Sequence, residues 1–95
     1  MFTAPTAIRA IRKEDPDGIL MKQYNTESLK QLFLAGERCD TATWEWIGEK
    51  LDKPIIDHWW QTESGWPMLG LMTSFEDQVP KPGSAGRAVC GYDIR

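Results

Sequence analysis

Trp59-Trp60-Gln61-Thr62-Glu63 sets two indoles beside an amide, a hydroxyl and a carboxylate, and Trp66 follows three residues later. Three of the chain's five tryptophans therefore fall between Trp59 and Trp66. Indole is large, rigid and rarely fully buried. Two adjacent indoles next to polar groups form a wall on which something can pack. The residues just before them, Pro54-Ile55-Ile56-Asp57-His58, are apolar and β-branched and read as a buried strand. The cluster thus leaves the C-terminal end of a strand, where open α/β sheets bind their ligands. The competing reading is core and interface filler, the commoner fate of paired aromatics, with Thr62 and Glu63 in an exposed turn.

The elements that must position this cluster are legible upstream. Pro5 or Thr6 opens a helix that runs through Lys13, with Ala7, Ile8 and Ile11 on one face. Asp15-Pro16-Asp17-Gly18 breaks it, and Asn25-Thr26-Glu27-Ser28 reads as a short capped turn. Leu29, Leu32, Phe33, Leu34 and Ala35 form an apolar run ending at Gly36, a buried strand. Asp40 is the N-cap of a second helix over Thr41 to Leu51, and the second strand covers Ile55 to His58. Strand, helix, strand is the rhythm of a parallel sheet, so the fold class is α/β. The remainder, from Gly65 to Gly91, is loop-rich in Gly and Pro. Tyr92-Asp93-Ile94-Arg95 alternates as a strand does. Both ends read as cut rather than finished, so the chain is expected to be a piece of a larger protein.

Composition excludes several classes. With 95 residues and a formal net charge of −3, one domain at most is expected, and neither nucleic acid nor an anionic membrane is an expected partner. No apolar run approaches the length of a membrane span, and the first residues lack the basic start and apolar core of a signal peptide. Cys39 and Cys90 have no metal-ligand spacing and read as free thiols in a reducing compartment. His58 is the only histidine. Arg9, Arg12, Lys13 and Glu14 read as a solvated helix face. Trp44 and Trp46, two apart on a helix, cannot share a face, so one is expected to pack inward and the other to lie against a part of the protein outside this chain.

Leu34-Ala35-Gly36-Glu37-Arg38 followed by Asp57-His58-Trp59-Trp60-Gln61-Thr62-Glu63-Ser64-Gly65-Trp66-Pro67 resembles the AMP-forming acyl-CoA synthetases, and most of all the short-chain branch that acts on acetate and propionate. Phe2-Thr3-Ala4-Pro5-Thr6-Ala7-Ile8-Arg9 and Lys81-Pro82-Gly83-Ser84-Ala85-Gly86-Arg87 fit the same branch. The Trp-Trp-Gln-Thr-Glu motif is highly specific, whereas Gly-Glu-Arg alone is weak. The resemblance runs from Phe2 to Arg95 and implies a partial AMP-binding domain over 1–95, part of the large N-terminal domain of an adenylate-forming enzyme. The implied reaction converts a carboxylate and ATP to an acyl-AMP, then passes the acyl group to coenzyme A. Its implied partners are ATP, propionate or acetate, coenzyme A and the remainder of a full-length enzyme. The implied setting is the cytoplasm or, in a eukaryote, the mitochondrial matrix.

By the same resemblance, Gly36, Glu37 and Arg38 form a loop against the adenine, and Asp57, His58, Trp59, Trp60, Gln61 and Thr62 form a second nucleotide-binding segment. Thr62 hydrogen-bonds the α-phosphate, and Glu63 sits near Mg²⁺. A hydroxyl can donate to phosphate without adding like charge, and a carboxylate is a hard ligand for Mg²⁺. Trp60 also floors the acyl pocket, and Ala35, beside Gly36, matches a wall position at which acetate enzymes tend to carry valine. Ala35 with Trp60 therefore favours propionate over acetate, although an alanine in a strand is as often plain packing. Ser64 departs from the usual threonine and Ala88 from a common proline. The phosphate loop, ribose-binding aspartate, hinge and catalytic lysine of the family are not in this stretch, so the chain alone is not expected to be a working ligase. The rivals are a non-catalytic module whose tryptophans form a partner surface, and an adenylating enzyme with a different acceptor, against which the Trp-Trp pair argues.

Overall fold

Pro5 has its φ preset and no amide to leave unpaired at the first turn of a helix, and it opens α1 (Pro5–Glu14). In the computed structural model, which describes residues 1–75 and 78–95, α1 ends where expected. The Asp15 carboxylate accepts the amides of Ile19 at 2.7 Å and Met21 at 3.0 Å, which curls the chain through Asp17-Gly18 into a single 3₁₀ turn at Met21–Gln23. Asn25 accepts the Glu27 amide at 2.9 Å, the turn anticipated there. The strand before α1 is β1 (Phe2–Thr3), and β2 (Leu32–Leu34) follows the turn. Asp40 caps α2 (Thr41–Leu51) by accepting the Thr43 amide at 2.9 Å, and β3 (Ile55–Asp57) comes next. The three strands form one parallel sheet in the order β1-β2-β3.

Alternation along the strands divides the sheet into two faces. Leu32, Leu34 and Ile55 point to the helices and join Ile8, Cys39, Trp46 and Ile47 in the core. Burial pushes the Cys39 thiol up to about 11, with Asp57 and Asp40 adding to the effect, so it stays protonated and inert. Both α2 tryptophans turn inward, contrary to the expectation that one would face a part of the protein outside this chain. Trp46 Nε1 donates to Pro16 O at 2.7 Å and Trp44 Nε1 to Ile55 O at 3.2 Å. Helix α2 lies between the sheet and the post-α1 loop, so opposite flanks of one helix each find a carbonyl.

The other face of the sheet is covered in part, at the β3 side, by the C-terminal third of the chain. Trp59 makes an antiparallel bridge with Leu69, and β4 (Leu69–Gly70) pairs antiparallel with β5 (Arg87–Ala88). A Cβ on Gly70 would meet the His58 Cβ at 3.6 Å and Val89 at 3.8 Å, so β4 lies directly against the end of β3. Gly86 is obligatory: its φ is +86° and a Cβ there would stand 2.5 Å from the Gly70 carbonyl oxygen. Tyr92–Arg95 forms no strand. The Tyr92 amide turns back to Val89 O at 3.1 Å, because alternation makes a strand only where a neighbour offers a ladder.

Candidate functional site

The crossover topology carries β2 and β3 side by side and releases both at the same edge. The chain leaving β2 is Ala35 to Arg38, and the chain leaving β3 is His58 to Gln61. The two exits face each other across a cavity of about 480 Å³, within the range of small-molecule sites. Gly36, Glu37 and Arg38 line one side, and Asp57, His58, Trp59, Trp60 and Gln61 line the other. Leu69, Gly83 and Ala85 complete the wall. Ala35 is buried under the loop and is not among the lining residues, and Thr62 and Glu63 lie just outside on an exposed turn.

Several of the lining residues are held by identifiable contacts. Gly36 has φ +101° with open space where a Cβ would be, so the backbone itself can approach a ligand. Glu37 turns its carboxylate away from the cavity to the N-terminus of α1, where it accepts the Thr6 amide at 3.0 Å and the Thr6 hydroxyl. This supplies the N-terminal cap that Ala4 cannot, at the helix end that favours negative charge. Arg9 Nη2 reaches the same carboxylate at 2.5 Å and Arg9 Nη1 reaches Asp40 at 2.9 Å. Arg9 is therefore a clamp between the Gly36–Arg38 loop and the cap of α2, rather than part of a solvated face. The Thr6 hydroxyl, with Arg9, holds the Glu37 carboxyl below its ordinary range.

Asp57 is the buried carboxylate of the site. Burial pushes it above its ordinary value, and the amides of Cys39 and His58 offset only part of that. His58 Nδ1 lies 2.8 Å from Leu34 O, and a carbonyl only accepts, so Nδ1 carries a proton and the ring is tied to β2. Trp59 and Trp60 are 43% and 39% exposed. Neither indole is part of the buried core of this chain. The turn after them is pinned by Ser64, whose hydroxyl accepts the Gln61 amide at 3.1 Å and stands 2.8 Å from the carbonyls of Gln61 and Trp66. The departure from threonine keeps this hydroxyl. Tyr92 OH donates to Ser64 O at 3.1 Å.

Sequence reasoning assigned no role at the site to Leu69, Gly83 and Ala85. Gly83 has φ +72°, and a Cβ there would meet the Arg38 guanidinium at 3.2 Å. Arg38 thus lies over the 81–85 loop and closes the cavity on that side. The signal was the Pro82-Gly83-Ser84 turn, but only the fold brings it to Arg38.

Comparisons with known proteins match this segment throughout. The family described as AMP-binding enzyme covers residues 1–95. The mitochondrial acyl-CoA synthetase short-chain family member 3 of Bos taurus is 51% identical over 99% of the chain and 14% of its own length. The propionate–CoA ligase of Escherichia coli (strain K12) is 41% identical over 100% of the chain and 15% of its own. A crystal structure of an anthranilate CoA ligase in complex with anthranoyl-AMP superposes with a TM-score of 0.78 at 27% identity, over 97% of the chain and 16% of that protein. The chain thus spans about one seventh of the length of the curated relatives it matches.

Proposed function

The chain belongs to the AMP-binding enzyme family, and we propose on that premise that residues 1–95 are part of the adenylation domain of a short-chain carboxylate–CoA ligase acting on propionate. The observation that carries this reading is the meeting of the Gly36–Arg38 loop with Asp57–Gln61 around one cavity. The cavity is large enough for a nucleotide. The relatives named for short-chain acids and propionate share 51% and 41% identity, against 27% for the ligase named for an aromatic acid.

In the proposed reaction a carboxylate oxygen attacks the α-phosphorus of ATP, the bond to pyrophosphate breaks, and pyrophosphate leaves. The thiol sulfur of coenzyme A then attacks the acyl carbon, loses its proton, and displaces AMP. Gly36 to Arg38 hold the base from one side and Asp57 to Gln61 from the other. Thr62 donates a hydrogen bond to the α-phosphate, where negative charge develops and a fixed donor is worth most. Glu63 suits Mg²⁺, which commonly takes one or two carboxylates and fills its other positions with phosphate oxygens and water. Among the described residues no group of three or more His, Cys, Asp and Glu could hold a metal, so the substrate phosphates would complete the shell. Held there, the ion would neutralise phosphate charge. Trp60 floors the acyl pocket, and Ala35 leaves room for one methylene more than valine would.

None of the described helices is long and apolar enough to cross a membrane. We place the enzyme in the cytoplasm or, in a eukaryote, the mitochondrial matrix, as the relative from Bos taurus is named mitochondrial. ATP–pyrophosphate exchange by the full-length protein tests the reading. Exchange that requires propionate, exceeds that with acetate and collapses in Thr62→Ala supports it, and exchange indifferent to short-chain acids contradicts it.

A further inference from the structure

The sheet face turned away from the helices carries an aromatic row in which Phe2 and Phe33, to which the proposed reaction gives no role, meet His58 and Trp60. Phe2 and Phe33 are register partners on β1 and β2, so their rings stand side by side on one face. Phe33 is opposite Ile56, and His58 lies two residues beyond Ile56, which brings it to the same face. The His58 ring meets Phe33 edge-on at 5.6 Å and Phe2 edge-on at 5.5 Å. Phe2 in turn meets Trp60 edge-on, with centroids 6.4 Å apart and planes at 65°. All three separations lie where aromatic pairs attract. His58 cannot swing, because Nδ1 is bound to Leu34 O. A ring fixed to the sheet therefore holds Phe2, and Phe2 holds the indole of Trp60.

We propose that Phe2 is a positioning residue for acyl-chain length: its ring sets the angle of the Trp60 indole and, through it, the depth of the acyl pocket. The inference rests on the reading of Trp60 as the pocket floor. Phe2 is 56% exposed and lies outside the buried core. Removing its ring leaves the core filled, so the effect falls on Trp60 rather than on folding.

The test uses the full-length ligase and kcat/KM for acetate, propionate, butyrate and hexanoate. Phe2→Ala is expected to shift the ratio of hexanoate to propionate upward by roughly 2- to 13-fold, the range an aromatic pair spans. Phe2→Tyr keeps the ring and should keep the native ratio. Phe2→Leu keeps apolar bulk without the ring and should shift the ratio as alanine does, which covers the case of an unfolded alanine variant. In a Trp60→Gly background the Phe2 substitutions should no longer move the ratio, because the indole they position is gone. A uniform loss on all acids in Phe2→Ala and Phe2→Leu, or an unchanged shift in the Trp60→Gly background, overturns the inference while leaving Trp60 as the floor. A flat profile for Trp60→Gly itself overturns the floor assignment and the inference with it.

Discussion

Residues 1–58 and residues 59–95 are built on different terms. The first stretch holds β1, α1, β2, α2 and β3, and apart from Val89 it supplies every buried core hydrophobe among the described residues. The second contributes Val89 alone to the buried core hydrophobes among the described residues, and among its described residues the pair β4 and β5 is the only regular structure. The first is a scaffold built around the shared core of Ile8, Leu32, Leu34, Cys39, Trp46, Ile47 and Ile55. The second is joined to it by contacts that include the packing of Gly70 on His58, the approach of Arg38 to Gly83 and a hydrogen bond from Gln31 to Thr73 at 2.7 Å. The site lies on the seam, where rigid strand ends deliver loops whose side chains have not been spent on packing.

If the division is real, substitutions in the two stretches should fail differently. The largest effect on stability belongs to the scaffold. Leu34→Ala or Ile47→Ala should cost ~2–5 kcal/mol, as buried truncations do, while Trp66→Ala stays within about 0.5 kcal/mol. Thermal unfolding of the full-length protein measures both, and equal losses would erase the distinction. The largest effect on chemistry belongs to the seam. Thr62→Ala should lose roughly 10²- to 10³-fold in pyrophosphate exchange, as removing one donor from a developing charge does, with an unchanged melting temperature.

Ala35 joins the two terms, being buried in the scaffold yet adjacent to Gly36. Ala35→Val should shift preference from propionate toward acetate by ~10–200-fold, read as a ratio of kcat/KM. A loss of stability with an unchanged ratio would assign Ala35 to packing alone.

The smallest effect concerns Asp57. Its folded-state value is raised by burial, so the folded protein binds the proton more readily than the unfolded chain. That favours folding below the folded value and is lost as pH rises through it. Asp57→Asn should therefore gain slightly in melting temperature at neutral pH and gain nothing in acid. Glu37 and Asp40 have the opposite sign. The Thr6 hydroxyl holds Glu37 below its ordinary 4.5, and Thr43 holds Asp40 below 3.8. Their contribution is present above those values and lost as pH falls below them. Arg9→Ala should remove part of that acid-side dependence in a melting-temperature profile and leave the neutral side unchanged in slope.

What could be read without coordinates follows from how local each signal is. Asp40 as a cap and Leu51 as the last residue of α2 were legible, because capping and helical periodicity are decided within a few residues. A helix start at Pro5 or Thr6 was legible for the same reason, and the helix begins at Pro5. Phe2–Thr3 as a strand was not: two residues carry no period, and only pairing with β2 defines them. The pairing of Leu69–Gly70 with Arg87–Ala88 was hidden in the same way within a Gly- and Pro-rich stretch. Arg9 looked solvated because its partners Glu37 and Asp40 are distant in sequence. The cavity wall from Gly36 to Arg38 and from Asp57 to Gln61 was legible only through the family resemblance, since no periodicity joins segments so far apart. Gly83 and Ala85 went unassigned because their place depends on where β4 and β5 return the chain.

On the proposed reading the exposed indole of Trp60 is a pocket wall and not unfinished core. The most direct test is Trp60→Gly in the full-length ligase, with kcat/KM measured from acetate through hexanoate. If Trp60 is a wall, the profile tilts, with activity gained on butyrate and hexanoate and lost on propionate. A profile lowered by the same factor at every chain length, with the ~3–5 kcal/mol loss of stability expected of a truncated core tryptophan, would contradict it.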